Sequence, residues 1–168
     1  MKTFVTLLLA VMLSGTAFAQ DINLDTNGYF GIGATHIDAE GGSSTGEMIY
    51  GGWATGTQDR PEAFYVELQL EQYDADLIDV TQLSLHAMPA LYNGQHQQIF
   101  LDIGFNVAEF ELGSETETES FVSYGLGYRI KFGQLSIRAT YVIEDLTDIG
   151  DAEIDKPKKA TVGIDWKF

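Results

Sequence analysis

"KKATVGIDWKF" (158–168) alternates along its length. Ala160, Val162, Ile164, Trp166 and Phe168 share one parity, and Thr161, Gly163, Asp165 and Lys167 share the other. A period of two sends the first set to one face of a β-strand and the second set to the other. The apolar stripe reaches the last residue, where a chain end frays unless a sheet ties it down. The stretch therefore predicts a paired strand at residues 158–168.

The same period recurs upstream. "EAFYVELQLEQYD" (62–74) sets Phe64, Val66, Leu68 and Leu70 against Tyr65, Glu67, Gln69 and Glu71. Further alternating segments cover 80–88, 96–111, 120–132 and 135–144, and two glycine-rich ones cover 28–38 and 46–56. With the terminal strand these make about eight, each near the roughly 9–11 residues of a tilted membrane-crossing strand. No helical stripe follows residue 20. Between the segments, "TQDRP", "YNGQ" and "KFGQ" are rich in turn formers. "AEGGSST", "LGSETETES" and "DLTDIGDAEIDKP" are longer and polar, so the expected molecule has short turns at one end and mostly longer loops at the other.

The first residues read as an export signal. "MKTFVTLLLAVMLSGTAFAQ" has Lys2, an apolar run from Phe4 to Leu13, and Ala17-Phe18-Ala19 before Gln20. That is the pattern of a signal peptide cleaved after Ala19, which divides the chain into a signal peptide (1–19) and one domain (20–168). The apolar run is shorter than the roughly 20 residues of a membrane-spanning helix. The chain carries a formal net charge of −16 and no cysteine. Phosphate neutralisation is excluded as a binding mode, so no nucleic-acid partner is expected. Disulfides and thiolate metal sites are excluded as well.

Alternation does not by itself say which face is outside. A soluble barrel turns its apolar face inward, and a membrane barrel turns it to lipid. Three features favour the second. The polar face carries Glu67, Asp102, Arg129, Arg138 and Asp165 at mid-strand depth, among Gly125, Gly127 and Gly163. Turns and loops segregate to opposite ends. Aromatic residues gather near strand ends, with Phe64, Tyr92, Tyr128, Trp166 and Phe168 near the turns and Tyr73, Phe110, Phe121 and Tyr141 towards the loops. These sets read as two interfacial girdles.

With its Ile164, Trp166 and Phe168 stripe, "VGIDWKF" resembles the C-terminal strand of Gram-negative outer-membrane barrels. The whole pattern resembles the small OmpA-like/OmpX-like outer-membrane β-barrel domain family, as a stand-alone barrel. The resemblance implies an eight-stranded antiparallel up-and-down transmembrane barrel. It also implies Sec export to the outer membrane and a terminal Phe168 read by the barrel-assembly machinery. Closure by pairing of the first and last strands would leave no edge facing lipid.

An eight-stranded barrel is just wide enough to be filled by side chains, and charges buried there must pair. Centring each hairpin on its loop places Asp102 across from Arg129 and Arg138 near Asp165. Arg129 then neighbours Arg138, and Glu67 is shared from the far wall. The expected interior is an ion-pair network of these five residues, with a narrow ion-conducting pore as the alternative. Ser84 and His86 share a face, but in the reverse order of the His-x-Ser pair of lipid A deacylases. They lie towards the short turns, and no acidic residue stands beside them to orient the imidazole. No catalytic residue is assigned, and a lipid-modifying enzyme is the third reading. Asp145, Asp148, Asp151, Glu153 and Asp155 offer hard oxygen ligands for a weak cation site, without the spacing of an EF-hand loop. Gly31, Gly33, Gly51 and Gly52 form no phosphate-binding motif, and no cofactor is expected. The expected role is structural or interactive. A monomer would meet outer-membrane lipid and lipopolysaccharide, with acidic loops outside.

Overall fold

A computed structural model of the chain describes residues 25–39, 42–57, 60–75, 78–112, 115–146, 148–149, 152–153 and 156–168. The signal peptide expected at 1–19 lies outside the described residues.

Eight long strands close a barrel: β1 (Asp25–Ala39), β2 (Gly42–Thr57), β3 (Arg60–Ala75), β4 (Ile78–Asn93), β5 (Gln97–Leu112), β6 (Glu115–Phe132), β7 (Leu135–Glu144) and β10 (Lys158–Lys167). Each pairs antiparallel with its chain neighbour, and β1 pairs with β10 to complete the ring. Two short segments, β8 (Asp148–Ile149) and β9 (Ala152–Glu153), pair with each other between β7 and β10. Closure follows from the final stripe. Phe30 faces Trp166, Ile32 faces Ile164 and Ala34 faces Val162, and the Phe168 amide donates to the Gly28 carbonyl at 3.0 Å. Every strand of the ring thus finds two partners, so among the described residues the barrel has no open edge to meet lipid.

Parity decides the two faces, with the apolar side outward. Ile32, Leu85, Phe105, Leu126, Val162 and Ile164 are exposed. Glu67, Gln82, His86, Asp102, Arg129, Arg138, Lys159 and Asp165 are buried in the lumen. In water this would leave a large apolar belt unsatisfied. In a bilayer that belt is the solvated surface, and the polar residues fill the interior.

The two ends differ from the sequence expectation. At the short-turn end, β6 and β7 join through Gly133–Gln134, with Gly133 at φ +69°, a backbone state that glycine reaches without strain. At the other end, Leu112 and residues 115–120 of the stretch expected as the loop "LGSETETES" are strand. β5 and β6 pair up to Leu112–Glu115, and β1 and β2 pair up to Ala39–Gly42. In β6 the alternating Glu and Thr of residues 115–119 continue the period of the strand below them. Only the β7–β10 connection is long.

One girdle also changes. Phe64, Tyr92, Tyr128, Trp166 and Phe168 are exposed, and Tyr141 faces outward at the opposite end. Tyr73, Phe110 and Phe121 do not join it. They share the parity of the polar face and turn inward, where they pack with Ile37, Val80 and Leu146 as an apolar layer inside the outer end of the lumen.

Candidate functional site

Sequence reasoning singled out the lumen, and it is filled in tiers. At the short-turn end Glu62 accepts from Lys167 at 2.5 Å and pairs with Lys131 at 2.9 Å. Tyr65 donates to the same carboxylate at 3.0 Å. Glu62 holds φ 58°, costly for a residue with a side chain, and the three partners fix it there. Glu62, Lys131 and Lys167 were missing from the expected network.

The middle tier holds the two arginines. Arg129 and Arg138 are direct partners across β6 and β7, as neighbours across a tight turn must be. Arg138 Nη1 donates to Glu67 Oε2 at 2.6 Å, and its guanidinium lies 3.7 Å from the centroid of the Tyr50 ring. Glu67 also accepts from the Tyr29 hydroxyl and from Gln69 Nε2, both at 2.7 Å. Arg129 stacks 4.1 Å from the Tyr65 centroid, with Asp165 3.6 Å from its Nη2. Two like charges are held side by side because a carboxylate approaches each from another wall and aromatic faces cover the rest. Glycines make the room. A Cβ at Gly31 would strike the Tyr50 ring, and one at Gly127 the Phe100 ring.

The expected pairings therefore change partners. Asp102 faces Gly125, and Gln98 is the residue opposite Arg129. Arg138 faces Gly163, while Asp165 faces Ser136 and accepts from its hydroxyl at 2.5 Å. The cause is register. The β5–β6 hairpin turns nearer Leu112 than the centre of the supposed loop, which slides β6 by four residues. The β7–β10 connection shifts the second pair by two.

Asp102 pairs instead with His86, Nδ1 to Oδ1 at 2.5 Å. The imidazole does have an acidic residue beside it, contrary to the sequence expectation, because β5 brings Asp102 diagonally next to His86 on the same face. Ser84 is buried nearby but accepts from Gln82 Nε2 (3.1 Å), and His86 Nε2 has no hydrogen-bond partner among the described residues. Two members of a triad are thus in contact, and among the described residues no hydroxyl is hydrogen-bonded to the free nitrogen.

The outer tier lies under the apolar layer. Lys159 Nζ reaches Glu144 Oε1 at 2.7 Å and Glu71 Oε1 at 3.2 Å, and Gln82 Nε2 donates to Glu144 Oε1 at 3.3 Å and to Asn106 Oδ1 at 3.0 Å. Sequence reasoning assigned no partner to Glu71, Glu144 or Lys159. Parity with Asp165 was the signal for Lys159.

Of the acidic loop residues, Asp145 pairs with Lys156 at 2.5 Å, both about half exposed, a pair of small energetic weight. Asp148 and Glu153 are backbone partners in β8 and β9, and Asp151 and Asp155 lie outside the described residues. Among the described residues no group of three carboxylates or histidines is placed to hold a metal ion. The outer faces of the hairpins carry acid of their own. Asp74, Asp79 and Glu111 are consecutive cross-strand partners on β3, β4 and β5, all exposed. His36 is exposed in β1, and His96 is exposed in the β4–β5 turn.

No protein-family profile and no curated relative matches the sequence. Solved structures do match in shape. The N-terminal β-barrel domain of Pseudomonas aeruginosa OprF aligns with a TM-score of 0.59 at 13% identity, over 86% of this chain and 100% of that one. Neisserial surface protein A gives 0.58 at 10%, over 88% and 100%. Ail of Yersinia pestis, in its complex with the heparin analogue sucrose octasulfate, gives 0.55 at 16%, over 88% and 100%. The closed antiparallel ring of eight strands, the outward apolar belt and these likenesses give the chain the fold of the small eight-stranded outer-membrane β-barrels, of the OmpA-like/OmpX-like kind that its sequence resembles.

Proposed function

We propose that the protein resides in the Gram-negative outer membrane as a structural and interaction barrel with a plugged interior. On this reading it is exported through the Sec pathway, inserted by the barrel-assembly machinery through the Ile164, Trp166 and Phe168 stripe, and surrounded as a monomer by outer-membrane lipid and lipopolysaccharide. The observation that carries it is the inversion of faces. Large apolar side chains cover the outside, while Arg129, Arg138, Lys159 and Glu67 are almost wholly inaccessible within. Continuous side-chain packing through the lumen supports a plug over a pore. The exposed carboxylates Glu47, Asp74, Asp79, Glu109 and Glu111 favour cations or cationic partners at the outer hairpins. They disfavour a sulfated polyanion such as the one bound to Ail.

Membrane fractionation and single-channel recording test this together. The protein should fractionate with the outer membrane and shift in electrophoretic mobility on boiling, and it should be silent in a planar bilayer. Recovery as a soluble periplasmic protein would refute the location. Steady conductance steps would refute the plug and favour a narrow pore.

A further inference from the structure

The outer tier of the lumen has more oxygen than its partners satisfy. Glu71 and Gln82 are direct cross-strand partners on β3 and β4, both facing inward and both wholly buried. Glu71 Oε2 and Gln82 Oε1 have no hydrogen-bond partner among the described residues. The other Glu71 oxygen shares Lys159 with Glu144. Two carboxylates therefore face one ammonium, leaving one negative charge uncompensated inside a layer closed above by Tyr73, Phe110 and Phe121. Asp102, paired with His86, brings no spare positive charge from below. An unpaired buried charge is expensive, and orphaned buried acceptors call for a partner.

We propose that this tier holds one alkali-metal cation, Na⁺ or K⁺, coordinated by Glu71 Oε2 and Gln82 Oε1. The charge count selects a monovalent ion, since one positive charge neutralises the tier while Lys159 stays in place. A divalent ion would bring one charge more than the tier lacks and would crowd the ammonium. A neutral water could satisfy the acceptors but would leave the charge.

The test compares the barrel refolded in detergent in sodium chloride with the barrel refolded in choline chloride at the same ionic strength. Choline screens the acidic outer surface equally but is too bulky for the tier. The urea midpoint should be higher in sodium, and ²³Na resonances should broaden with folded protein. Glu71→Gln keeps the shape but removes the charge, and should abolish both effects. Glu109→Gln, on the outer face, should leave both intact. Lys159→Met should enlarge the sodium dependence if that variant folds. Equal midpoints in the two salts, with no ²³Na broadening by the wild-type barrel, would overturn the proposal. So would a midpoint that rises on acidification and ignores sodium. The wild-type comparison needs no variant to fold, and neither outcome depends on where the barrel resides.

Discussion

Arg138→Met is the most informative perturbation of the interior. The side chain is wholly buried, and its Nη1 lies 2.6 Å from Glu67 Oε2. Met keeps much of the volume but leaves Glu67 with only the Tyr29 and Gln69 donors. Breaking a buried pair by removing one partner costs about 3–5 kcal/mol. The guanidinium also leaves the Tyr50 face, a contact worth about 2 kcal/mol when desolvated, so the expected loss lies near the upper end of that range. Glu67→Gln alone should cost a similar amount, because Arg138 is then the uncompensated ion. The double variant should cost about 1–3 kcal/mol less than the two losses summed, the coupling of groups in direct contact. The parallel cycle of Arg138→Met with Asp165→Asn should show a smaller coupling, because Asp165 is held by Arg129, Ser136 and Tyr50. Urea unfolding of the refolded barrel, followed by the fluorescence of Trp53 and Trp166, measures all of these. A coupling with Asp165 as large as that with Glu67 would refute the register. Single losses below about 1 kcal/mol, accompanied by altered conductance, would refute a dry packed lumen.

The outward belt predicts that Leu126→Arg costs about 2–4 kcal/mol in a bilayer, the range for a cation at the lipid midplane; an effect near zero in the same unfolding assay would place that face away from lipid. Gly125→Ala should cost about 1–3 kcal/mol, because its Cβ would meet the Tyr141 carbonyl and Val142 backbone, which cannot step aside, whereas Gly42→Ala, facing open space, should be neutral. Deleting Phe168 removes the amide bonded to Gly28 and the ring that covers Gly28, and should lower the fraction of heat-modifiable folded barrel on gels. Asp102→Leu should cost about 1–3 kcal/mol by orphaning His86 Nδ1, with urea unfolding again the measure.

What the sequence discloses here is parity. Each strand's inward and outward sets follow from a period of two, so Glu67, Asp102, Arg129, Arg138 and Asp165 could be assigned to the lumen from their neighbours alone. Register is a different quantity, since it depends on where each hairpin turns. The β5–β6 turn was hidden inside "GSETETES", whose residues serve equally as loop or as strand. A displacement by an even number of residues preserves every face and changes every partner, which is why the right residues carried the wrong pairings. Contacts across non-neighbouring walls, such as Arg138 to Glu67, depend in addition on the stagger of the closed ring, and no local pattern encodes that. Tyr73, Phe110 and Phe121 failed for another reason. Their parity was legible, but aromatic residues near strand ends suggested an interface, and composition overrode position.

The continuation of β5 and β6 as paired sheet beyond the apolar belt bears on how another molecule would meet this surface. A floppy acidic loop must surrender its conformational freedom on binding, and that loss weakens the complex. A backbone already locked by hydrogen bonds up to Leu112–Glu115 has little left to surrender. Its carboxylates are presented at fixed spacings, so discrimination rests on geometry as well as charge. Antibodies raised against the intact barrel should accordingly see an epitope assembled from neighbouring strands. A peptide copying residues 109–119 should compete poorly for them, since in isolation it lacks the walls that hold it straight.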